Sequence, residues 1–363
     1  MYALDLLKKM LSIYSPSGRE TQLASFLESE MRHLGLRDVH IDSVGNVSGE
    51  VGTGHPVTVL CGHMDTVPGF IEVKEDGKIL YGRGAVDAKS SLSAMIMAAS
   101  QLREKNVGRT VVIGVIDEEG DGKGIEYVSR EKFEADCFIF GEPSGVDKIT
   151  IGYKGRVQFT LNLRAMGGHA SAPWAAENAV ERAFDLLKDI KDNLFPDSLE
   201  EKDRFHTVSI CPTLIRGGEF PNNIPENCQL TLDIRVPPQI KCDDINAKLN
   251  NIVEGFGGKN PKLTVQGKVD SFLDAYEADQ NSLLVTALKK SILHILRKES
   301  RLIRKTGTGD MNVIGLGQGI PVVTYGPGDS RLDHTANEHI NIDEYLKTIE
   351  IYQKAVEYIA EDH

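Results

Sequence analysis

Two histidines and five carboxylates of this sequence recur at one kind of place, the point where an apolar run gives way to a loop. The run HPVTVLCGH ends in His63 and is followed by Asp65. Asp87 follows LYGRGAV, Glu118 and Glu119 follow VVIGVID, Glu142 follows CFIF, and His334 comes after IPVVTYGPGDSRLD. In open α/β sheets, ligands bind outside the carboxyl ends of the strands. Each of these exits would therefore deliver an imidazole or a carboxylate to one edge. Two imidazoles with three or four carboxylates form an N/O donor set suited to zinc, and less often to cobalt or manganese. One carboxylate more than a single ion needs favours a pair of ions sharing a bridge. Taken singly, each residue has a plainer reading. A lone histidine at a strand end is more often hydrogen-bonded than metal-bound, and adjacent acids such as Glu118 and Glu119 usually form a solvated turn. DEEGDGKG lacks the spacing and the final bidentate glutamate of a calcium loop. The repetition at successive strand exits is what points to a metal centre.

The elements that must position these residues are legible in the pattern around them. Two amphipathic helices open the chain, ending near Tyr14 and Gly35. DAKSSLSAMIMAASQLREK predicts a helix over 87–105, and GIEYVSREKF predicts another. Strands alternating with helices argue for an α/β layer. From about Tyr153 the pattern changes. RVQFTLNLRA, HTVSICPTLIRG, CQLTLDIRVP and PKLTVQGKV are read as antiparallel strands, the first three with the apolar–polar alternation of a sheet with one solvated face. With helices at AENAVERAFDLLKDI and 242–253 they make a small α+β module. The α/β pattern then resumes with a helix from Ser282, a strand at 302–305, a buried strand at IPVVTYG and a closing helix from Ile342. The expected organisation is an α/β domain with a mainly parallel central sheet over 1–153 and 269–363, and an α+β domain inserted at 154–268.

Length and composition agree. A chain of 363 residues suggests about two domains. Its 40% hydrophobic and 26% charged content is that of a soluble globular protein. A net charge of -12 argues against general affinity for nucleic acid or anionic membrane. The N-terminal helix has no secretory pattern, and no apolar run reaches membrane-spanning length. Five scattered cysteines without a CxxC pair read as reduced thiols in a cytoplasmic protein. RKESRLIRK, 297–305, carries five basic residues against one acid. It is either a docking point for an acidic partner or a solvated helix end.

The stretches GHMDTVP, GRGAVDAK, DEEGDGKG, FGEPSG, GGHASAP, NNIPENCQLTLDIR and DHTANEH resemble the co-catalytic zinc family of aminoacylases, acetylornithine and succinyl-diaminopimelate deacylases, and carboxypeptidase G. The resemblance covers nearly the whole length. It implies a zinc-bearing α/β catalytic domain with an inserted dimerisation (lid) domain, and two zinc ions per subunit, with cobalt as a substitute. By position, His63 and Glu142 would bind one ion and Glu119 and His334 the other, with Asp87 bridging. Composition does not separate Glu118 from Glu119; the resemblance makes Glu118 the general base. It gives Asp65 the task of holding the His63 ring, and makes His334, not His339, the metal histidine. It also implies a cis peptide between Asp87 and Ala88. His169 would reach the active site of the partner subunit of a homodimer as an oxyanion donor; the plainer reading is a loop histidine packed locally. Asn222 and Arg235 would grip a substrate carboxylate, although Arg235 could simply pair with Asp233 on its own strand.

LYGRGAVDAKSSL, GEPSG…ITIGYKGR, KTGTGDMNVIG and TYGPGDSRLDHTANEH look most like the lysine-biosynthesis branch of that family. The branch releases lysine, and in archaea ornithine, from the C-terminal glutamate γ-carboxyl of a small acidic amino-group carrier protein. Older usage calls its members acetyl-lysine deacetylases. One departure is Gly307-Thr308-Gly309-Asp310, where the branch usually has Gly-Thr-Ser-Asp. The alternatives are a deacetylase of free N-acetyl-lysine or N-acetylornithine, a dipeptidase, or a non-catalytic metal-binding homologue. The presence of Glu118, needed only for turnover, weakens the last.

Overall fold

The computed structural model describes residues 2–131, 134–194, 203–317 and 319–363. The chain divides into two compact units: Met1–Gly152 with Ala278–Arg304 and Gly309–His363, and Tyr153–Glu277 with Lys305–Thr308.

In the first unit a sheet runs in the order Arg37–Ile41, Val47–Gly52, Arg109–Val115, Val57–His63, Cys137–Phe140, Val322–Thr324, Lys148–Tyr153. The four strands from Arg109–Val115 to Val322–Thr324 are parallel. Val57–His63 and Cys137–Phe140 are buried at every residue, as strands covered on both faces are. The flanking strands are antiparallel, so the sheet is mixed. One cause is local. Asp42 Oδ1 accepts the N–H groups of Val44, Gly45 and Asn46 at 2.8–3.0 Å, and this side-chain turn folds Val47–Gly52 directly back on Arg37–Ile41.

Register is what gathers the site. His63 lies opposite Val115, Cys61 opposite Phe140, and Phe140 opposite Thr324. The carboxyl ends of the four parallel strands are thus level, and the residues that leave them emerge at one edge. Helix Lys89–Leu102 is buried at every residue except Gln101, and its alanines and serines allow close packing. It starts later than the sequence pattern suggests, so Asp87 stands free of it; the Asp87–Ala88 peptide is cis. Ser282 caps Leu283–Leu296, and Asn341 caps Ile342–Asp362 by accepting two N–H groups of its first turn.

The second unit is a four-stranded antiparallel sheet in the order Ser209–Gly217, Asn227–Val236, Gly155–Ala165, Leu263–Leu273. Helices Ala179–Leu194 and Cys242–Lys259 supply the other half of its core, where Phe159, Leu161, Leu232 and Ile234 meet Leu186, Ile190, Ile245 and Leu249. The last strand runs on to Leu273, past the boundary expected at 268. Among the described residues no helix is long and apolar enough to cross a membrane.

Candidate metal centre

His63 ends a central strand and is 1% exposed. Its Nδ1 lies 2.9 Å from the main-chain carbonyl of Asp65. A carbonyl only accepts, so Nδ1 carries the hydrogen and Nε2 the lone pair. That lone pair faces Asp87 Oδ1 at 3.2 Å and Glu142 Oε1 at 3.5 Å. A lone pair facing two carboxylates is repulsive unless a proton or a metal cation lies among them. The arrangement repeats at His334, whose Nε2 lies 2.8 Å from Glu119 Oε1 and 3.2 Å from Asp87 Oδ2. Asp87 thus turns one oxygen to each histidine. His63, Asp87 and Glu142 form one group whose donor atoms lie within 4.8 Å of one another, and Asp87, Glu119 and His334 form a second.

The electrostatics say the same. Burial, then the charge of Glu142, pushes the Glu118 carboxyl well above its ordinary range. Burial also raises Asp310, to about 7. The hydrogen bond to Asp87, reinforced by Glu119, lifts His334 to about 9. Burial alone would raise Asp87, but its contacts with His334 and His63 outweigh that and hold it low. Six carboxylates (Asp65, Asp87, Glu118, Glu119, Glu142 and Asp310) thus share a site with two imidazoles. Protons or metal cations relieve such an excess, and the mixed nitrogen and oxygen donors suit zinc.

A second layer of contacts aims these donors. Asp65 is fully buried. Its carboxylate is 3.7 Å from His63 Nδ1, so the ring is oriented chiefly by the Asp65 carbonyl. The carboxylate instead accepts the N–H of Glu118 at 3.1 Å, the N–H of Glu119 at 2.9 Å and the Ser17 hydroxyl at 2.7 Å. Asp87 is held from behind by Glu338, also fully buried, which accepts the N–H groups of Val86 and Asp87 at 2.9 and 3.1 Å and pairs with Arg83 at 2.8 Å. Sequence reasoning misses Glu338 and Asp310, although both lie inside recognisable motifs, DHTANEH and KTGTGDMNVIG. His339 belongs to neither donor group; its ring packs on Tyr81.

His169, Asn222 and Arg235 lie in the second unit. His169 is exposed on the short strand Gly168–His169, paired with Asn223–Ile224, and lines a cavity of about 570 Å³ with Arg216, Phe220 and Glu226. The Ser171 N–H donates to its Nδ1 at 3.1 Å. Nδ1 therefore holds the lone pair, and the neutral ring presents Nε2–H as a donor. The main-chain carbonyl of Asn222 accepts the Ala170 N–H at 2.8 Å, which ties Asn222 to the same loop. Arg235 does pair with Asp233, through Nε at 2.6 Å and Nη2 at 3.3 Å, and its Nη1 donates to Thr308 at 3.1 Å. Of its five N–H groups two remain for a ligand.

The model of peptidase family M20/M25/M40 matches residues 59–358. The chain belongs to this family. The LysW-lysine/LysW-ornithine hydrolase of Sulfurisphaera tokodaii is 34% identical over 353 residues, 97% of this chain and 94% of that protein. The protein of the same name from Saccharolobus islandicus is 34% identical over 358 residues, 98% of this chain and 95% of its own. Among solved structures, a tripeptidase from Staphylococcus aureus superposes with a TM-score of 0.84 at 20% identity, over 99% of this chain and 98% of that one. The M20 metallo-carboxypeptidase Sso-CP2 of Sulfolobus solfataricus gives 0.81 at 19% identity, over 99% and 100%. At such identities these two matches speak for the fold.

This M20 peptidase is accordingly a metal-dependent hydrolase of amide bonds. Its donor loops are packed without slack. A Cβ on Gly326 would stand 2.3 Å from Ser91 Oγ and 2.7 Å from the Glu142 carbonyl. Gly326→Ala must therefore shift the Glu142 backbone or the Gly326 turn against it. The expected result is a loss of about 10–100-fold in affinity at the Glu142 group, the usual cost of disturbing what orients a ligand. Calorimetric titration of zinc into metal-free protein measures it, and unchanged affinity at both steps would contradict it.

Proposed function

We propose that this M20 hydrolase releases lysine, ornithine or both from the C-terminal glutamate γ-carboxyl of an amino-group carrier protein, using two zinc ions per subunit. The observation that carries the chemistry is Asp87, one oxygen toward each histidine, with Glu118 in electrostatic reach of His63, Asp87 and Glu142 yet in neither donor group. Kinship with LysW-lysine/LysW-ornithine hydrolases along nearly the whole chain supports the choice of substrate.

His63 and Glu142 would hold one ion, Glu119 and His334 the other, and Asp87 both. Bound there, the pair supplies a water of lowered pKa and a Lewis acid for the amide carbonyl. Glu118 takes the proton of the attacking water and returns it to the departing α-amino group. The Nε2–H of His169 donates to the carbonyl oxygen as negative charge develops on it. Asn222 and the two free N–H groups of Arg235 hold the product's α-carboxylate.

His169 would act across a homodimer. Ser209–Gly217 is an edge strand of the second unit's sheet, with Leu214 and Ile215 56% and 48% exposed. Pairing such edges about a two-fold axis would satisfy the backbone and cover the apolar side chains.

The test is a substrate series for the zinc-loaded protein: carrier-linked lysine and ornithine, acetyl-lysine, acetylornithine and succinyl-diaminopimelate. The expected kcat/KM is at least about 100-fold higher on a carrier-linked substrate, because contacts remote from the scissile bond contribute to transition-state binding. Equal or faster cleavage of a free acyl amino acid would overturn the carrier reading and leave the deacetylase.

A further inference from the structure

Residues 13–20, between helices Tyr2–Ser12 and Thr21–His33, run against two of the first unit's loops, the one that follows His63 and the one that carries Glu118 and Glu119. Ser15 Oγ donates to the Met64 carbonyl at 2.9 Å, and the Ser15 carbonyl accepts the Thr66 N–H at 3.0 Å. Pro16 and Thr66 form an isolated parallel bridge. Ser17 Oγ donates to Asp65 Oδ2 at 2.7 Å. Glu20, 4% exposed, accepts the Gly18 N–H at 2.9 Å and, with the same oxygen, the Asp117 N–H at 3.2 Å. The segment is anchored at its start by Lys89, whose Nζ donates to the carbonyls of Met10 and Ile13 at 3.2 and 2.8 Å.

These contacts converge on one short turn. Asp117 has φ 61°, a conformation that a residue other than glycine keeps only where its surroundings hold it. The next two residues, Glu118 and Glu119, give their N–H groups to the two oxygens of Asp65. A carboxylate's terminal torsion is broad and loosely defined by itself. The Ser17 hydroxyl on Oδ2 fixes it, so that each oxygen meets its own N–H. Glu20 fixes the turn one residue earlier.

We propose that Ser17 and Glu20 are positioning residues for proton transfer, which set the aim of Glu118 by holding the Asp65 carboxylate and the Asp117 N–H. The proposal rests on the reading of Glu118 as the proton carrier. Neither residue bonds to a member of the two donor groups or is one itself.

The test uses the full-length, zinc-loaded protein with the best amide substrate of the series above. The turn also carries Glu119, so the assay is run at saturating zinc. Ser17→Ala and Glu20→Ala are then expected to lower kcat about tenfold with KM unchanged and two metals per chain; displacing a reacting group by 1 Å can cost about 10²-fold. Ser17→Thr retains the hydroxyl and Glu20→Gln retains an acceptor oxygen, so both should stay within about threefold of wild type. A second readout needs no turnover. Hydrogen exchange, followed by mass spectrometry on a peptide covering 116–119, should quicken about tenfold in the two alanine variants, while Val57–His63 stays protected. A general loss of packing would instead quicken exchange throughout, and that outcome would overturn the proposal. So would an unchanged kcat in both alanine variants. An active Glu118→Gln would remove the reading of Glu118 itself. An inactive Glu118→Gln beside fully active Ser17→Ala and Glu20→Ala would sink only the positioning role.

Discussion

Glu118→Gln is expected to keep the fold and both metals while losing about two to four orders of magnitude in kcat, the usual contribution of a general acid–base. The substitution preserves size. It also preserves the main-chain N–H that Glu118 gives to Asp65, so the turn that aims Glu119 stays in place. Neither donor group contains Glu118, and metal content should remain at two per chain. What is lost is the ability to take a proton from water and pass it to the leaving amine. A carboxylate can accept that proton and an amide side chain cannot. Metal analysis beside steady-state kinetics decides the matter. Near-normal kcat in a two-metal variant would remove Glu118 from the mechanism.

The second large effect is expected at His169. Its Nε2–H is left as a donor because the Ser171 N–H occupies Nδ1. Removing a single oxyanion donor costs about 10²–10³ in kcat, so His169→Ala should fall into that range with metal content intact. If the residue serves the neighbouring subunit, mixing His169→Ala with Glu118→Gln and allowing exchange creates one site with both groups intact. Activity should then rise well above either variant alone. No recovery, with exchange demonstrated by mass spectrometry, would mean that His169 acts within its own chain or takes no part.

Much of the centre was legible because strand exits are a local pattern and register does the rest. HPVTVLCGH, VVIGVID and CFIF are each recognisable as buried strands, and level carboxyl ends bring the residues beyond them together. The division of work between neighbours was not local. Glu119 is set apart from Glu118 by its contact with His334 at 2.8 Å, across 215 residues of chain that no periodicity bridges. The family resemblance supplied that order. Asp65 illustrates a finer limit. The family resemblance has it hold the His63 ring, and it is the Asp65 carbonyl that does so, while the carboxylate turns to the 118–119 backbone. Glu338 lies behind Asp87 through main-chain N–H groups, contacts that leave no pattern of residue types. The antiparallel flanks of the sheet escaped for a related reason: the side-chain turn at Asp42 governs the direction of the next strand, while hydrophobic patterning reports only burial.

Every step of this mechanism depends on two ions sharing Asp87. Crystals of the zinc-loaded protein, measured on both sides of the zinc absorption edge, test it directly. The expected anomalous map has two peaks about 3.5–4 Å apart, one beside His63 and Glu142, the other beside Glu119 and His334, with the Asp87 carboxylate between them. A single peak at full zinc occupancy, or two peaks away from Asp87, would contradict the shared bridge.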